Sequence, residues 1–171
     1  MDVGLNFCQA DRIPVIPGRN IFLYRAEAIG DGGCRYWRRA HSIIAPGSDC
    51  IKASQNFVNE HLIRWSMNAK VSAALTVTAI FVENALLYTD DGFDLRLEAT
   101  HDEVVVAVSD ASSKPAMRRE RSPGSVPAGL DIVAALCHRW GNTPTAIGKT
   151  VWARIGPGDT LTEITKLLNE S

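Results

Sequence analysis

The chain has 171 residues, 46% of them hydrophobic, and a formal charge of −1 at pH 7. This length and composition suffice for one packed domain with small extensions. Because the overall charge is close to zero, the chain has no general attraction to nucleic acid or to an acidic membrane, and we expect neither as a partner. No segment approaches the roughly 20 apolar residues that span a bilayer.

Cysteine spacing and the first residues of the chain favour a cytoplasmic location. The cysteines lie far apart and form no CxxC motif: Cys8, Cys34, Cys50 and Cys137. Such spacing disfavours a metal cage and is typical of reduced thiols. The stretch from Met1 to Asp11 also lacks the basic start and apolar core of a signal peptide.

Residues 1–47 are predicted to form an N-terminal extension. Residues 1–20 contain prolines but no hydrophobic periodicity, which favours a loop or a loosely docked arm. The apolar stretches Ile21–Ala28 and Cys34–Ile44 flank the turn signal Asp31-Gly32-Gly33, a pattern typical of a β-hairpin. Three roles stay open for this extension: a hairpin that extends the sheet, a dimerisation arm or a lid.

Two helices are predicted to follow the extension. Ser48 or Asp49 is a suitable N-cap for the first helix. Its apolar residues recur at helical spacing: Ile51, Val58, Leu62 and Trp65. The second helix should run from about Lys70 to Tyr88, because its apolar residues again share one face and Asp90-Asp91-Gly92 stops it.

The next residues are predicted to form an antiparallel hairpin. In Phe93–Ala99 apolar and polar residues alternate, as expected for a half-buried strand. Residues 101–103 turn the chain, and Val104–Val108 then runs back as a more deeply buried strand.

The last third of the chain begins with a long irregular segment. Residues 111–127 are rich in serine, arginine and proline, and a loop of this length inside a compact domain is often a lid or a binding loop. A helix is predicted at Ala128–Trp140, ended by Gly141-Asn142. A last strand is predicted at Thr150–Ile155, and residues 156–171 are expected to form a tail or a short helix near Thr160–Leu168.

This order of elements predicts an α+β domain. Helices should pack on one face of a mixed, mostly antiparallel sheet, giving a two-layer sandwich. We expect the central domain to span residues 48–155.

Four short motifs occur in the order of one known superfamily. They are Asn84 to Thr89, Asp110 to Pro115, Ala128-Gly129-Leu130 and Gly148 to Ala153. Together they resemble the GHKL ATPase superfamily, also called the histidine kinase-like ATPases. Within it, the chain is most similar to bacterial anti-sigma-factor serine/threonine-protein kinases and their small actinobacterial ATP-binding relatives. The resemblance covers about Ser48 to Ile155 and implies the Bergerat ATP-binding fold.

The resemblance implies a site for ATP and Mg²⁺. Asn84 matches the asparagine that ligates magnesium, and Asp110 matches the aspartate that accepts a hydrogen bond from the adenine amino group. Gly129 matches a glycine that approaches phosphate, and Thr150 matches a threonine of the adenine-side network. The full set of nucleotide-binding residues implied is Asn84, Tyr88, Asp110, Ser112, Gly129, Leu130 and Thr150. The basic lid would contain Arg118, Arg119 and Arg121.

Each of these residues also has an ordinary structural interpretation. Asn84 fits a satisfied helix-end asparagine, Asp110 fits a strand-end Asx turn with Ser112, and Gly129 fits a plain helix start. The arginines fit a solvated loop. Gly148-Lys149-Thr150 is not a phosphate-binding P-loop, because the first glycine of that motif is absent and a strand rather than a helix follows.

The resemblance leaves catalysis open. Anti-sigma serine kinases carry a glutamate general base one helical turn before the asparagine, where this chain has Ile80. Glu83 lies about 100° around the helix from Asn84 and should point elsewhere. Two alternatives therefore stand: an ATP-binding kinase-like regulator, or a degenerate module without phosphoryl transfer that acts only by protein–protein interaction. A third is an unrelated enzyme that uses Asp110, Glu83 and a histidine as acid–base groups.

The resemblance also implies protein partners and a role in transcription regulation. A sigma factor or an anti-anti-sigma-like protein is the expected partner, and a homodimer is a further alternative.

Overall fold

The computed structural model describes residues 21–28, 34–117 and 128–157, with the backbone alone given for residues 21–28 and 34–37. Within these residues six strands and three helices follow one another. They are β1 (Ile21–Ala28), β2 (Cys34–Ile44), α1 (Cys50–Arg64), α2 (Asn68–Leu86), β3 (Phe93–Ala99), β4 (Val104–Asp110), α3 (Leu130–Leu136), β5 (Arg139–Pro144) and β6 (Lys149–Ile155).

The fold is α+β, as predicted. The six strands form one sheet in the order β1-β2-β3-β4-β6-β5. Every pairing among these strands is antiparallel, so the described part of the sheet is not mixed as the sequence had suggested. The helices pack on one face of the sheet, where α1 contacts β2, α2 contacts β4 and β6, and α3 contacts β5.

The alternating burial along β3 and β6 shows which of their side chains face the helices. In β3 the apolar residues Phe93, Leu95 and Leu97 are buried, while the polar residues between them are half-buried on the outer face. Strand β6 follows the same alternation, so its buried positions begin with Lys149 and continue with Val151. A lysine therefore stands on the core side of β6, where the other buried positions are apolar.

Helix α2 is the central helix of the second layer. It runs from Asn68 to Leu86 rather than from Lys70 to Tyr88, and Val77, Phe81 and Val82 are at most 1% exposed in the core. By length and composition alone α2 could cross a membrane, contrary to what the sequence pattern suggested. This is weak evidence, because the core helix of a soluble protein meets the same criteria.

The N-terminal hairpin is confirmed and belongs to the main sheet. Strand β1 pairs with β2 over its whole length, and β2 in turn pairs with β3 from Arg38 opposite Ala99 to Ile44 opposite Phe93. Of the three roles open for this segment, the structure shows the one that extends the sheet. The predicted arm at residues 1–20 and the predicted helix near Thr160–Leu168 lie outside the described residues.

The prediction for residues 128–144 is partly wrong. Helix α3 ends at Leu136 instead of Trp140, and Cys137 already has an extended backbone with φ −126° and ψ 134°. Gly141 and Asn142, expected to end a helix, instead lie inside strand β5, which pairs with β6. Hydrogen bonding to β6 has overridden a local pattern that favoured helix.

Candidate functional site

A buried ion pair joins the end of β4 to the start of β6. Asp110 lies directly opposite Lys149 in the sheet. The ammonium of Lys149 donates to Oδ1 of Asp110 over 2.8 Å, and the two side chains are only 3% and 1% exposed. Because charges this deeply buried are rare unless they are paired, the carboxylate and the ammonium need each other to be tolerated in the core.

The segment after β4 folds back on the same carboxylate. The backbone N–H of Ser112 donates to Oδ1 of Asp110 over 2.8 Å, and the N–H of Lys114 donates to the hydroxyl of Ser112 over 3.2 Å. The Asx turn anticipated from the sequence is therefore present. The turn is compatible with a functional role for Asp110, because it uses only Oδ1 of the two carboxylate oxygens.

Tyr88 brings the end of α2 to this pair. The Nζ atom of Lys149 lies 5.6 Å from the centroid of the Tyr88 ring, and that of Lys114 lies 5.5 Å from the same centroid. Tyr88 is 46% exposed, so the residue lies at the surface close to the buried pair. Asn84 is half-buried near the end of α2, four residues before Tyr88, which lies two residues beyond the helix.

The turn before β6 is in tight contact with the end of β4. A Cβ atom on Gly148 would lie 2.0 Å from the backbone oxygen of Asp110 and 2.7 Å from backbone atoms of Ala111. Only glycine allows these two segments to come so close. This close approach fixes Lys149, the next residue, directly against Asp110.

The structure places Thr150 away from Asp110. Its hydroxyl lies 2.7 Å from the hydroxyl of Ser109, its partner in β4. Since successive residues of a strand point to opposite faces, Thr150 faces outward while Lys149 faces the helices. The core-side position of β6 opposite Asp110 is therefore held by Lys149 and not by Thr150. Thr150 instead lines an open hollow of about 290 Å³ on the outer face, together with Arg96, Glu98, Val105, Ala107, Thr143 and Trp152.

Gly129 and Leu130 stand at the start of α3. Gly129 has φ 54° and ψ −120°, a backbone conformation that residues with a Cβ rarely adopt. The side chain of Leu130 is 7% exposed and belongs to the hydrophobic core. A role for either residue with phosphate stays a prediction.

The lid prediction falls on a part of the chain that the structure does not describe. Arg118, Arg119 and Arg121 lie between residues 118 and 127, outside the described residues. The start of this loop is held in place, because Nδ2 of Asn142 donates to the carbonyl of Ala116 over 3.1 Å.

No acid–base residue occupies the general-base position. Ile80 is partly buried and packs against the core, and Glu83 is exposed. Among the described residues, Asp110 bonds to Ser112 and Lys149 and not to a histidine. His41 instead pairs with Asp94 over 2.5 Å, and His61 bonds to the carbonyl of Phe57 over 2.7 Å. The alternative of an unrelated enzyme built on Asp110 and a histidine gains no support.

The Mg²⁺ ion implied by the resemblance stays a prediction. The described residues include no group of three or more histidine, cysteine or acidic side chains that could form an all-protein metal cage. Magnesium bound together with phosphates and water takes only one or two protein ligands. The amide oxygen of Asn84, near the end of α2, is a ligand of the required kind.

Lys149 is the site residue that sequence reasoning missed. The resemblance at Gly148 to Ala153 pointed only to Thr150, and Lys149 itself was considered only as part of a P-loop, which was rejected. The signal that could have found it is the alternation in β6, because Val151 must face the core and Lys149 lies two residues before it.

Comparisons with protein-family models, with curated proteins and with solved structures found no match for this chain.

Proposed function

We propose that this protein is an ATP-binding regulator of the kind suggested by its resemblance to anti-sigma-factor serine kinases. The nucleotide would bind between the end of α2 and the adjoining ends of β4 and β6. The observation that supports this proposal is the convergence of three distant segments, represented by Tyr88, Asp110 and Lys149, on one point at the rim of the core.

Each of these segments offers a group suited to a nucleotide. Oδ1 of Asp110 accepts the Ser112 and Lys149 bonds, and Oδ2 would accept from the amino group of adenine. The exposed face of the Tyr88 ring would cover the base. Asn84 would hold Mg²⁺, which neutralises phosphate charge when it is bound. Gly129 and Leu130 would approach the phosphates from α3, and the arginines at 118, 119 and 121 would close over them.

We expect the protein to act through nucleotide-dependent binding to a partner rather than through phosphoryl transfer. A general base must come within hydrogen-bonding reach of the proton that it removes. The position implied for that base holds Ile80, whose side chain can accept no proton. The partner proposed is a sigma factor or an anti-anti-sigma-like protein in the cytoplasm, which would make this chain a regulator of transcription.

A second candidate is a module of the same fold that binds no nucleotide and acts only by protein–protein interaction. The ion pair between Asp110 and Lys149 favours this candidate, because it satisfies part of the carboxylate without any ligand. The two candidates differ in whether the protein binds Mg·ATP.

Isothermal titration calorimetry with Mg·ATP and Mg·ADP tests the proposal. We expect saturable binding by the wild-type protein, and weaker, less magnesium-dependent binding by Asn84→Ala, because the proposed metal ligand is lost. Asn68→Ala is the matched control, since Asn68 is exposed at the opposite end of the same helix. If millimolar nucleotide produces no binding heat and no thermal shift, ATP binding is contradicted and the interaction module remains.

A further inference from the structure

The buried ion pair offers hydrogen-bonding groups of both kinds side by side. An ammonium has three N–H donors, and one of those of Lys149 is used by Oδ1 of Asp110. A carboxylate has two oxygens, and the two bonds to Asp110 from Ser112 and Lys149 both end on Oδ1. The intact pair therefore keeps acceptor capacity at Oδ2 and donor capacity at Nζ.

The Watson–Crick edge of adenine presents the complementary groups in adjacent positions. Its amino group is a hydrogen-bond donor, and the neighbouring ring atom N1 is an acceptor. If the amino group faces the carboxylate of Asp110, then N1 faces the ammonium of Lys149 beside it. The two side chains are 1% and 3% exposed, so the groups that cover them must move aside to admit the base, while the ion pair itself stays closed.

We infer that Lys149 is a base-specificity residue whose ammonium donates a hydrogen bond to N1 of adenine, next to the amino group accepted by Asp110. This inference rests on the proposed function, since it concerns the nucleotide of that site. It assigns to Lys149 the adenine-side role that the sequence had given to Thr150, whose hydroxyl points to the other face of the sheet.

Guanine in the same orientation would be rejected at two points. Its carbonyl oxygen would face the carboxylate of Asp110, and its N1–H donor would face the ammonium of Lys149. The carboxylate would then face another acceptor and the ammonium another donor, and because both groups are buried, neither could bond to water instead. Lys149 therefore adds a second point of discrimination to that of Asp110.

Lys114 provides an internal comparison. Its ammonium lies 5.5 Å from the Tyr88 centroid, almost the same as the 5.6 Å of Lys149, so both cations contact the same ring. Lys149 is 2% exposed and bonds to Asp110, whereas Lys114 is exposed. Removing either ammonium removes one positive charge near the Tyr88 ring. Only Lys149 lies beside Asp110, the residue that would bind the base.

Calorimetry with ATP and with 1-deazaadenosine triphosphate, which has C–H in place of N1, tests the inference directly. We expect wild-type protein to bind ATP about tenfold or more tightly than the 1-deaza analogue, because the analogue leaves the ammonium without its acceptor. In Lys149→Met the two affinities should become similar, and the preference for ATP over GTP should fall. Lys114→Met should keep both preferences.

The outcomes separate this inference from the proposed function. Equal affinity of the wild-type protein for ATP and the 1-deaza analogue would overturn the role of Lys149 and leave ATP binding intact, whatever the folding of the variant. Unchanged discrimination in a folded Lys149→Met protein would overturn it as well. If the wild-type protein binds neither nucleotide, both the inference and the proposed function fail.

Discussion

At the scale of single residues, Gly148 fixes the geometry of the site. Alanine there would push a methyl group to 2.0 Å from the backbone oxygen of Asp110, and backbone cannot turn aside as a side chain can. We expect Gly148→Ala to lower the free energy of unfolding by about 2 kcal/mol or more, since β6 must move away from β4. Urea denaturation followed by circular dichroism measures this loss.

Gly47→Ala is the control for this substitution. A Cβ on Gly47 would meet no atom within 4 Å, so the change should stay within about 0.5 kcal/mol of wild type. Equal stability of the two alanine variants would show that the turn before β6 can relax. The close contact that holds Lys149 against Asp110 would then not be required.

Residues of the site differed in how far the sequence could predict them. The local context of Asp110, at the end of an apolar strand and two residues before a serine, indicated the Asx turn as one interpretation of this residue. The contact of Lys149 with Asp110 could not be read locally, because the two residues are 39 positions apart and the register of β4 with β6 decides the pairing. The faces of Lys149 and Thr150 follow from the alternation within β6.

At the scale of elements, helix α1 contains a buried histidine. His61 is 2% exposed and lies between the rings of Phe57 and Trp65, with centroid distances of 4.3 Å and 5.6 Å. Burial, the largest influence, lowers the pKa of the imidazole below its ordinary value of 6.5. The hydrogen bond with the Phe57 carbonyl opposes this shift without reversing it.

This shift predicts a loss of stability in mild acid. Below pH 6.5 the imidazole of His61 binds a proton more readily in the unfolded chain than in the folded protein. The neutral, buried His61 therefore contributes fully to the free energy of unfolding above pH 6.5, and this contribution is lost as the pH falls through the folded pKa. From about pH 7.5 to about pH 5.5 we expect a loss of stability that His61→Gln does not show, because glutamine binds no proton. Urea midpoints across this range measure it, and parallel curves for the two proteins would contradict the prediction.

Elements with strong apolar periodicity were predicted correctly, and the element without it was missed. β3 alternates buried and half-buried positions, and α1 buries one face, so each pattern indicated its structure. The side chains of β5 are exposed or half-buried at every position, which leaves no alternation to read. Its identity depends on pairing with β6, a contact between segments that local periodicity does not encode.

At the scale of the whole molecule, the N-terminal hairpin protects the sheet. The first 47 residues looked like an addition to a domain beginning at residue 48. In the structure β2 covers the edge of β3 through seven residue pairs, from Arg38 opposite Ala99 to Ile44 opposite Phe93. Without β2, the hydrogen-bonding groups along that edge of β3 would be free to pair with another chain.

Two truncations therefore have different expected outcomes. A chain that begins at Ser48 lacks β1 and β2, and we expect it to aggregate or to unfold at lower urea, because β3 becomes an edge strand. A chain that begins at Ile21 keeps both strands, so β3 stays paired with β2 and we expect no aggregation through that edge. Light scattering and urea denaturation compare the two. A monomeric Ser48 chain with wild-type stability would show that the sheet is complete without its hairpin, and that residues 48–171 fold without it.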